Sequence, residues 1–323
     1  MHVAVYLPLL FPALAAFLAR PLGEGLPPRA ATWLLTAGSL VLATAGTAVL
    51  GMLAVTGLLR IPLLARLADG HWSAHAAQQH DPTSLSVAVL AGTLLVVVTA
   101  LAGRMLVRRA RTLASAMAEA ACLPGPDQLV IVDDPAAEAY AVPGNPGRIV
   151  VSTGMLDALE PTEHAILLAH ERAHLDHRHH LFVALAQLAA AANPLLRPLA
   201  TTVGYTVERW ADEDAAACTG DRAQVARTIG KAALAARRTR GRSRIPAAAL
   251  GLLGRLGRLR PVGPGPGPVP RRVAALLAPA PRSRTWTTAA FLGLAAATAL
   301  CAAEAAHDLQ TLLELAEHAA TRS

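Results

Sequence analysis

The feature that most constrains this chain is a set of long stretches without one charged side chain. Residues 31–59 form the first, 83–103 the second and 285–303 the third. A helix that crosses a bilayer needs about 20 mostly apolar residues, and each stretch is long enough. Residues 3–19 are shorter, contain Pro8 and Pro12, and end at Arg20. They also read as a span rather than a cleaved leader, because only Met1 and His2 precede the apolar run. Composition agrees. The chain is 54% hydrophobic and 16% charged, against roughly 25% charged residues in soluble domains. That balance argues against a purely soluble or a disordered protein. The expectation is an α-helical membrane protein with about four transmembrane helices.

Cation placement sets the expected orientation. Arg20 and Arg29 flank the first short loop, and Arg104, Arg108, Arg109 and Arg111 follow the third span. Residues 237–284 carry twelve Arg and no acidic residue. With four spans these regions share one side, which should be the cytoplasm. The tail after residue 303, with Glu304, Asp308, Glu314 and Glu317, then faces outward. Cys122, Cys218 and Cys301 are odd in number and far apart, and read as buried reduced thiols rather than a disulfide framework.

Roughly 180 residues separate the last two spans, the only part polar and long enough for a globular domain. Residues 128–133 read as a short buried strand. Residues 140–144 and 148–153 read as strand, turn and strand. Glu160-Pro161-Thr162 opens a helical run to Ala192, with Pro161 in its favoured first turn. Pro261 to Pro270 reads as a stiff structureless linker.

Inside that helical run lies His170-Glu171-Arg172-Ala173-His174, the pattern H-E-x-x-H. Helix positions four apart are rotated by only about 40°, so both imidazoles can reach one metal ion. Glu171 sits beside that face, where it can act as general base toward a water that the ion activates. A catalytic zinc site needs a third protein ligand and an open position. The best candidate is Glu208, with Asp212 four residues on to orient a ligating histidine. Glu213 and Asp214 read as solvated helix surface.

Topology tests the assignment. Residues 181–207 are apolar apart from Arg197. A single crossing would strand Glu208 across the bilayer from His170, and two crossings need about 40 residues. The stretch must stay on one side, as buried core or a hairpin turning near Asn193-Pro194.

His170 to His174, Glu208 to Asp212, Tyr140 to Gly144 and Arg148 to Leu156 together resemble membrane-bound gluzincin peptidases. The similar groups are the HtpX-like endopeptidases and the BlaR/MecR-type antirepressor peptidases, in their short actinobacterial form. The resemblance covers residues 124–221 and the order of spans. It implies an α+β zincin-like metallopeptidase domain binding one Zn2+ per chain through His170, His174 and Glu208, with Glu171 as base and Asp212 behind a ligand. It implies a protein or peptide substrate, such as a BlaI/MecI-type repressor, or a quality-control role like that of HtpX. A non-proteolytic membrane scaffold is the reading from a different class. In HtpX-like relatives an Asn commonly opens the strand motif and a Gly follows it. Here Glu138 and Asn145 stand at those positions. The strand 148–153 is expected, by family analogy, to be an edge that pairs with substrate backbone.

The resulting division is a membrane region at 1–111 (spans about 3–19, 31–59 and 83–103), a zinc metallopeptidase domain at 112–236, an Arg/Pro/Gly-rich cytoplasmic segment at 237–284, and a C-terminal span with a short tail at 285–323. His177, His179 and His180 read as polar helix surface near the membrane. His71, His75, His80 and Asp81 read as a solvated loop. Tyr205 and Arg209 are oxyanion-stabiliser candidates by proximity to Glu208. The Arg-rich segment is expected to meet anionic lipid headgroups or to dock an acidic partner. Nucleic acid is not an expected partner, because no binding module and no interleaved aromatics are present. The β-lactam-sensing motif S-x-x-K does not occur, since Thr228 precedes the sole lysine, Lys231, at that spacing.

Overall fold

The structure, a computed structural model, describes residues 3–58, 85–122, 128–239, 267–279 and 285–321. A 3-10 turn, Val3–Tyr6, leads into α1 (Leu7–Gly25), and α2 follows at Pro28–Leu58. The third long helix, α3, is Leu85–Cys122, and the last, α10, is Thr285–Thr321. Among the described residues these four are long and apolar enough to cross a membrane. The expected apolar stretches are helical where described, and two of the helices run beyond them. The first continues past Arg20 to Gly25, and α3 runs without a break through residue 111. A polar residue does not end a helix; it ends only the part that suits lipid. The loop carrying His71, His75, His80 and Asp81 lies outside the described residues.

Small residues let the long helices approach closely. A Cβ at Gly38 of α2 would come within 2.3 Å of the Phe291 ring on α10. Phe291 joins Leu22, Leu35, Leu42 and Leu199 in one buried cluster. On α3, Val89, Leu90, Val96 and Leu101 stay exposed, a surface suited to hydrocarbon rather than water. The cysteines differ from expectation. Cys218 is free but exposed, and Cys301 is free and half-buried. Cys218 lies in the exposed last turn of its helix, beyond the packed residues Ala215 and Ala216.

The globular part begins with a three-stranded sheet: β1 (Leu129–Val132), β2 (Ala139–Val142) and β3 (Arg148–Ser152). The order is β1-β3-β2, with β3 parallel to β1 and antiparallel to β2. This corrects the expectation that 148–153 is an edge strand. It is central, and Ile149, Val150 and Val151 are all buried. Its run is apolar on both faces because Val150 packs into one buried cluster and Ile149 and Val151 into another. Ser152 closes the strand: its Oγ accepts from Met155 N–H, capping α4 (Thr153–Ala158), and donates to Ala136 O.

α5 is Pro161–Asp176. The Glu163 carboxylate accepts from the Glu160 N–H at 2.9 Å, and Lys231 bridges Glu160 and Glu163. The helical run to Ala192 is not continuous. Arg178 adopts φ 50°, ψ 43°, which breaks the run, and α6 starts afresh at His179–Ala192. A turn at Pro194–Leu196, where Asn193 Oδ1 accepts from Leu195 N–H, reverses the chain into α7 (Arg197–Thr219). The apolar stretch 181–207 is therefore a helical hairpin, turning where Asn193-Pro194 predicts. It packs on α1 and α2, with Trp33 edge-on to Phe182 and Thr32 Oγ1 donating to Thr206 Oγ1 at 2.9 Å.

α8 (Arg222–Arg238) is capped by Asp221, and α9 (Pro268–Leu277) lies against it. Pro268 to Pro270, expected to be structureless, form the first turn of α9. Proline's fixed φ suits that position, where its missing N–H costs nothing. Residues 261–266 lie outside the described residues.

Candidate metal centre

α5 and α7 bring together the three residues that the spacing singles out. His170 Nε2 lies 3.3 Å from His174 Nε2 and 3.8 Å from Glu208 Oε2. His174 Nε2 lies 3.7 Å from Glu208 Oε1. Three donors on a tetrahedron with bonds of about 2.0–2.1 Å would stand about 3.3 Å apart. The spacings, with a different Glu208 oxygen nearest each imidazole, are close to that, and a two-histidine, one-carboxylate set suits zinc.

Glu171, Glu208 and Asp212 supply three carboxyl groups, and Arg272 is the cation set among them. His174 is ready to ligate: burial, then the charges of His170 and Arg272, hold it well below the usual histidine range and so neutral. Burial also acts to discharge His170, but Asp212 outweighs it and leaves the pKa raised.

Asp212 is buried, and its Oδ1 lies 3.1 Å from His170 Nδ1. The distance is short but the alignment is off the hydrogen-bond line, so the attraction is chiefly electrostatic. Burial works to raise the Asp212 pKa, yet the Arg272 guanidinium and His170 hold it far below the usual carboxylate range. Glu171 is also buried. Loss of hydration, opposed by His170 and Arg272 and by the N–H of Ala141, pushes its pKa up to about 7. Ala141 belongs to β2, so the general-base candidate faces an edge strand of the sheet.

Arg272, from α9, is the residue that sequence reasoning missed. Its Nε and Nη2 donate to the two Asp212 oxygens at 2.7 and 2.6 Å, and Nη1 donates to Glu208 Oε2 at 2.8 Å. Within the Arg-rich segment, Arg272 is committed to the site, and its neighbour Arg271 binds Glu24 at 2.7 Å and covers the Tyr205 ring. Tyr205 and Arg209 are both buried, and Arg209 donates to Gly23 O at 2.7 Å, tying α7 to α1. Neither makes a described contact with His170, His174 or Glu208.

The remaining acids and histidines also find partners. Glu213 pairs with Arg222 at 2.9 Å and Asp214 with His177 at 2.7 Å, both half-buried rather than freely solvated. His179 is fully buried, against the expectation of a polar surface. The helix break at Arg178 is what turns it inward.

Residues 107–200 match the family described as Peptidase family M48. Over 95 residues the chain is 35% identical to the "Protease HtpX homolog" of Acidiphilium cryptum (strain JF-5), covering 29% of this chain and 33% of that protein. The chain therefore spans about a third of the length of the curated relative it matches. No solved structure matches. The family match takes in the sheet, α5 and both histidines, and it stops before Glu208, Asp212 and Arg272, whose placement comes from the fold alone. The matched segment supports a membrane-type M48 metallopeptidase domain.

Proposed function

We propose that this chain is an integral membrane zinc metalloendopeptidase with His170, His174 and Glu208 as metal ligands and Glu171 as general base. The observation that carries the reading is the convergence of donors from α5 and α7 at 3.3–3.8 Å, with the Glu171 carboxyl buried on the same helix as the two imidazoles. A zinc ion held there would polarise a peptide carbonyl and lower the pKa of a water to about 7.

The protein's own groups do the rest. Glu171, buried beside the two imidazoles, takes a proton from the attacking water and returns it to the leaving amine. Asp212 and Arg272 keep His170 and Glu208 aimed inward. The substrate strand pairs with β2 rather than β3. In this antiparallel pair Ser152 N–H bonds Glu138 O, so Glu138, Tyr140 and Val142 turn their backbone groups toward β3. Ala139 and Ala141 turn theirs to the open edge, and the Ala141 N–H meets Glu171. A peptide added at that edge lies beside the base.

The catalytic domain faces the cytoplasm in this reading, by the cation asymmetry of the loops. Regulated proteolysis of a BlaI/MecI-type repressor is the role favoured by the motif resemblance. The likeness to an HtpX homologue favours membrane-protein quality control as a second role. The test uses the full chain in detergent. Wild type should hold one zinc and cleave a protein substrate. Glu171→Gln should keep the zinc and lose cleavage, and Glu208→Ala should lose both. Undiminished zinc in Glu208→Ala, or cleavage surviving in Glu171→Gln, overturns the reading. If a cellular output survives Glu171→Gln, a scaffold role replaces it.

A further inference from the structure

On an unbroken helix, residues five apart point about 140° away from each other, so His179 should not face His174. It does. The left-handed Arg178, at φ 50° and ψ 43°, reverses the local path and swings the first residue of α6 back over α5. His179 Nδ1 comes to 2.9 Å from His174 Nδ1, and the rings meet edge to face at 82°. The His179 side chain is fully buried, and its Nε2 has no hydrogen-bond partner among the described residues. Trp210 packs on it at 4.8 Å. His177 stacks on the same indole at 4.6 Å and is tied to Asp214 at 2.7 Å.

We propose that His179 is a positioning residue for His174: it accepts a hydrogen bond from the His174 Nδ1–H and thereby fixes the ring and tautomer that present Nε2 to a metal ion. This inference rests on the metallopeptidase reading above.

Two neutral imidazoles whose Nδ1 atoms are 2.9 Å apart share one proton between those atoms. If His179 carries it, His174 carries its own proton on Nε2, and that nitrogen has no lone pair for a metal. If His174 carries it, Nε2 is a free donor facing His170 Nε2 and Glu208 Oε1. Metal binding therefore selects one arrangement, in which the remaining His179 proton sits on the unpartnered Nε2. A packing residue at a fully enclosed site would be apolar, because a buried polar atom without a partner is costly. A histidine that leaves one nitrogen unsatisfied is explained by what its other nitrogen does. The two ligands are thus held differently, His170 by a carboxylate and His174 by a neutral ring.

The test compares wild type, His179→Phe and His179→Asn in detergent. Asn Oδ1 falls where histidine Nδ1 was and still accepts, whereas Phe keeps the shape and loses the acceptor. Zinc loss to a chelator should be 10–100-fold faster in His179→Phe and near wild type in His179→Asn. The visible bands of the cobalt-substituted protein should shift in His179→Phe and return in His179→Asn. Matching zinc loss and cobalt spectra in His179→Phe and wild type overturn the proposal. Should His179→Phe fail to fold, nitrogen-15 NMR of histidine-labelled, zinc-loaded wild type decides it. A scalar coupling across His174 N–H···N His179 is expected, and a proton on His179 Nδ1 overturns the proposal. Failure of wild type to bind zinc at all would instead sink the metallopeptidase reading, so the two failures are distinct.

Discussion

Arg272 grips both oxygens of Asp212, at 2.6 and 2.7 Å, from a helix sixty residues further along the chain. The same guanidinium reaches Glu208 at 2.8 Å. One side chain thus pairs with the carboxylate beside one candidate histidine donor and with the candidate carboxylate donor itself. Arg272→Met should lower zinc affinity by about 10–100-fold, because an outer partner of this kind is worth that much. It should also destabilise the fold by about 3–5 kcal/mol, since buried Asp212 would lose its counter-ion. Arg272→Lys should recover part of the charge but not the two-pronged geometry. Chelator competition and thermal melts in detergent measure both effects.

Glu171 sets a pH dependence in the metal-free protein. Its folded pKa of about 7 lies above the ordinary 4.5, so between these values the native state binds more protons than the unfolded state. Stability is fully present below about 4.5 and is lost as pH rises through about 7, by up to about 3 kcal/mol. Glu171→Gln should remove that loss. At pH 8 the metal-free variant should melt higher than metal-free wild type, and at pH 4 the two should coincide. A nearby dication favours the carboxylate, so zinc should shrink the gap at pH 8.

Zinc retention should weaken on acidification. Asp212 raises the His170 pKa above the ordinary 6.5 despite burial, so a proton competes with the metal for that ring. Below the His170 pKa each further pH unit should cost about tenfold in affinity for the one proton displaced. Asp212→Asn should move the onset to lower pH while weakening binding at neutral pH. Zinc stoichiometry after dialysis at a series of pH values measures this.

The left-handed residue at the α5–α6 junction makes a backbone prediction. Arg178 occupies a region that costs a non-glycine residue about 1–2 kcal/mol. Arg178→Gly should be neutral or stabilising by up to about 1 kcal/mol and should keep zinc. Arg178→Val should destabilise, and it should speed zinc loss because His179 no longer returns to His174. Thermal melts and chelator kinetics on both variants separate the two effects.

Much of the site was legible because its signals are local. Four-residue spacing on helices puts His170 with His174 and Glu208 with Asp212, and uncharged stretches mark the long helices wherever they pack. The requirement that Glu208 return to His170 kept residues 181–207 on one side, as buried core or a hairpin, and the fold contains the hairpin. Sequence alone therefore determined the candidate donors and the membrane-suited segments.

Tertiary structure decided what depends on partners distant in the chain. Whether 148–152 is an edge or a centre depends on which strands flank it, and β1 and β2 flank it on both sides. Nothing local distinguishes Arg272 from the other arginines of an Arg-rich segment; only the docking of α9 against α7 brings it to Asp212 and Glu208. His179 turns from surface to interior through the left-handed φ and ψ of one residue, Arg178, a choice fixed by the packing of α6 on Trp210 and α5. Spacing fixes which residues share a face of one helix, whereas the meeting of faces from different elements is set by the packing of the whole chain.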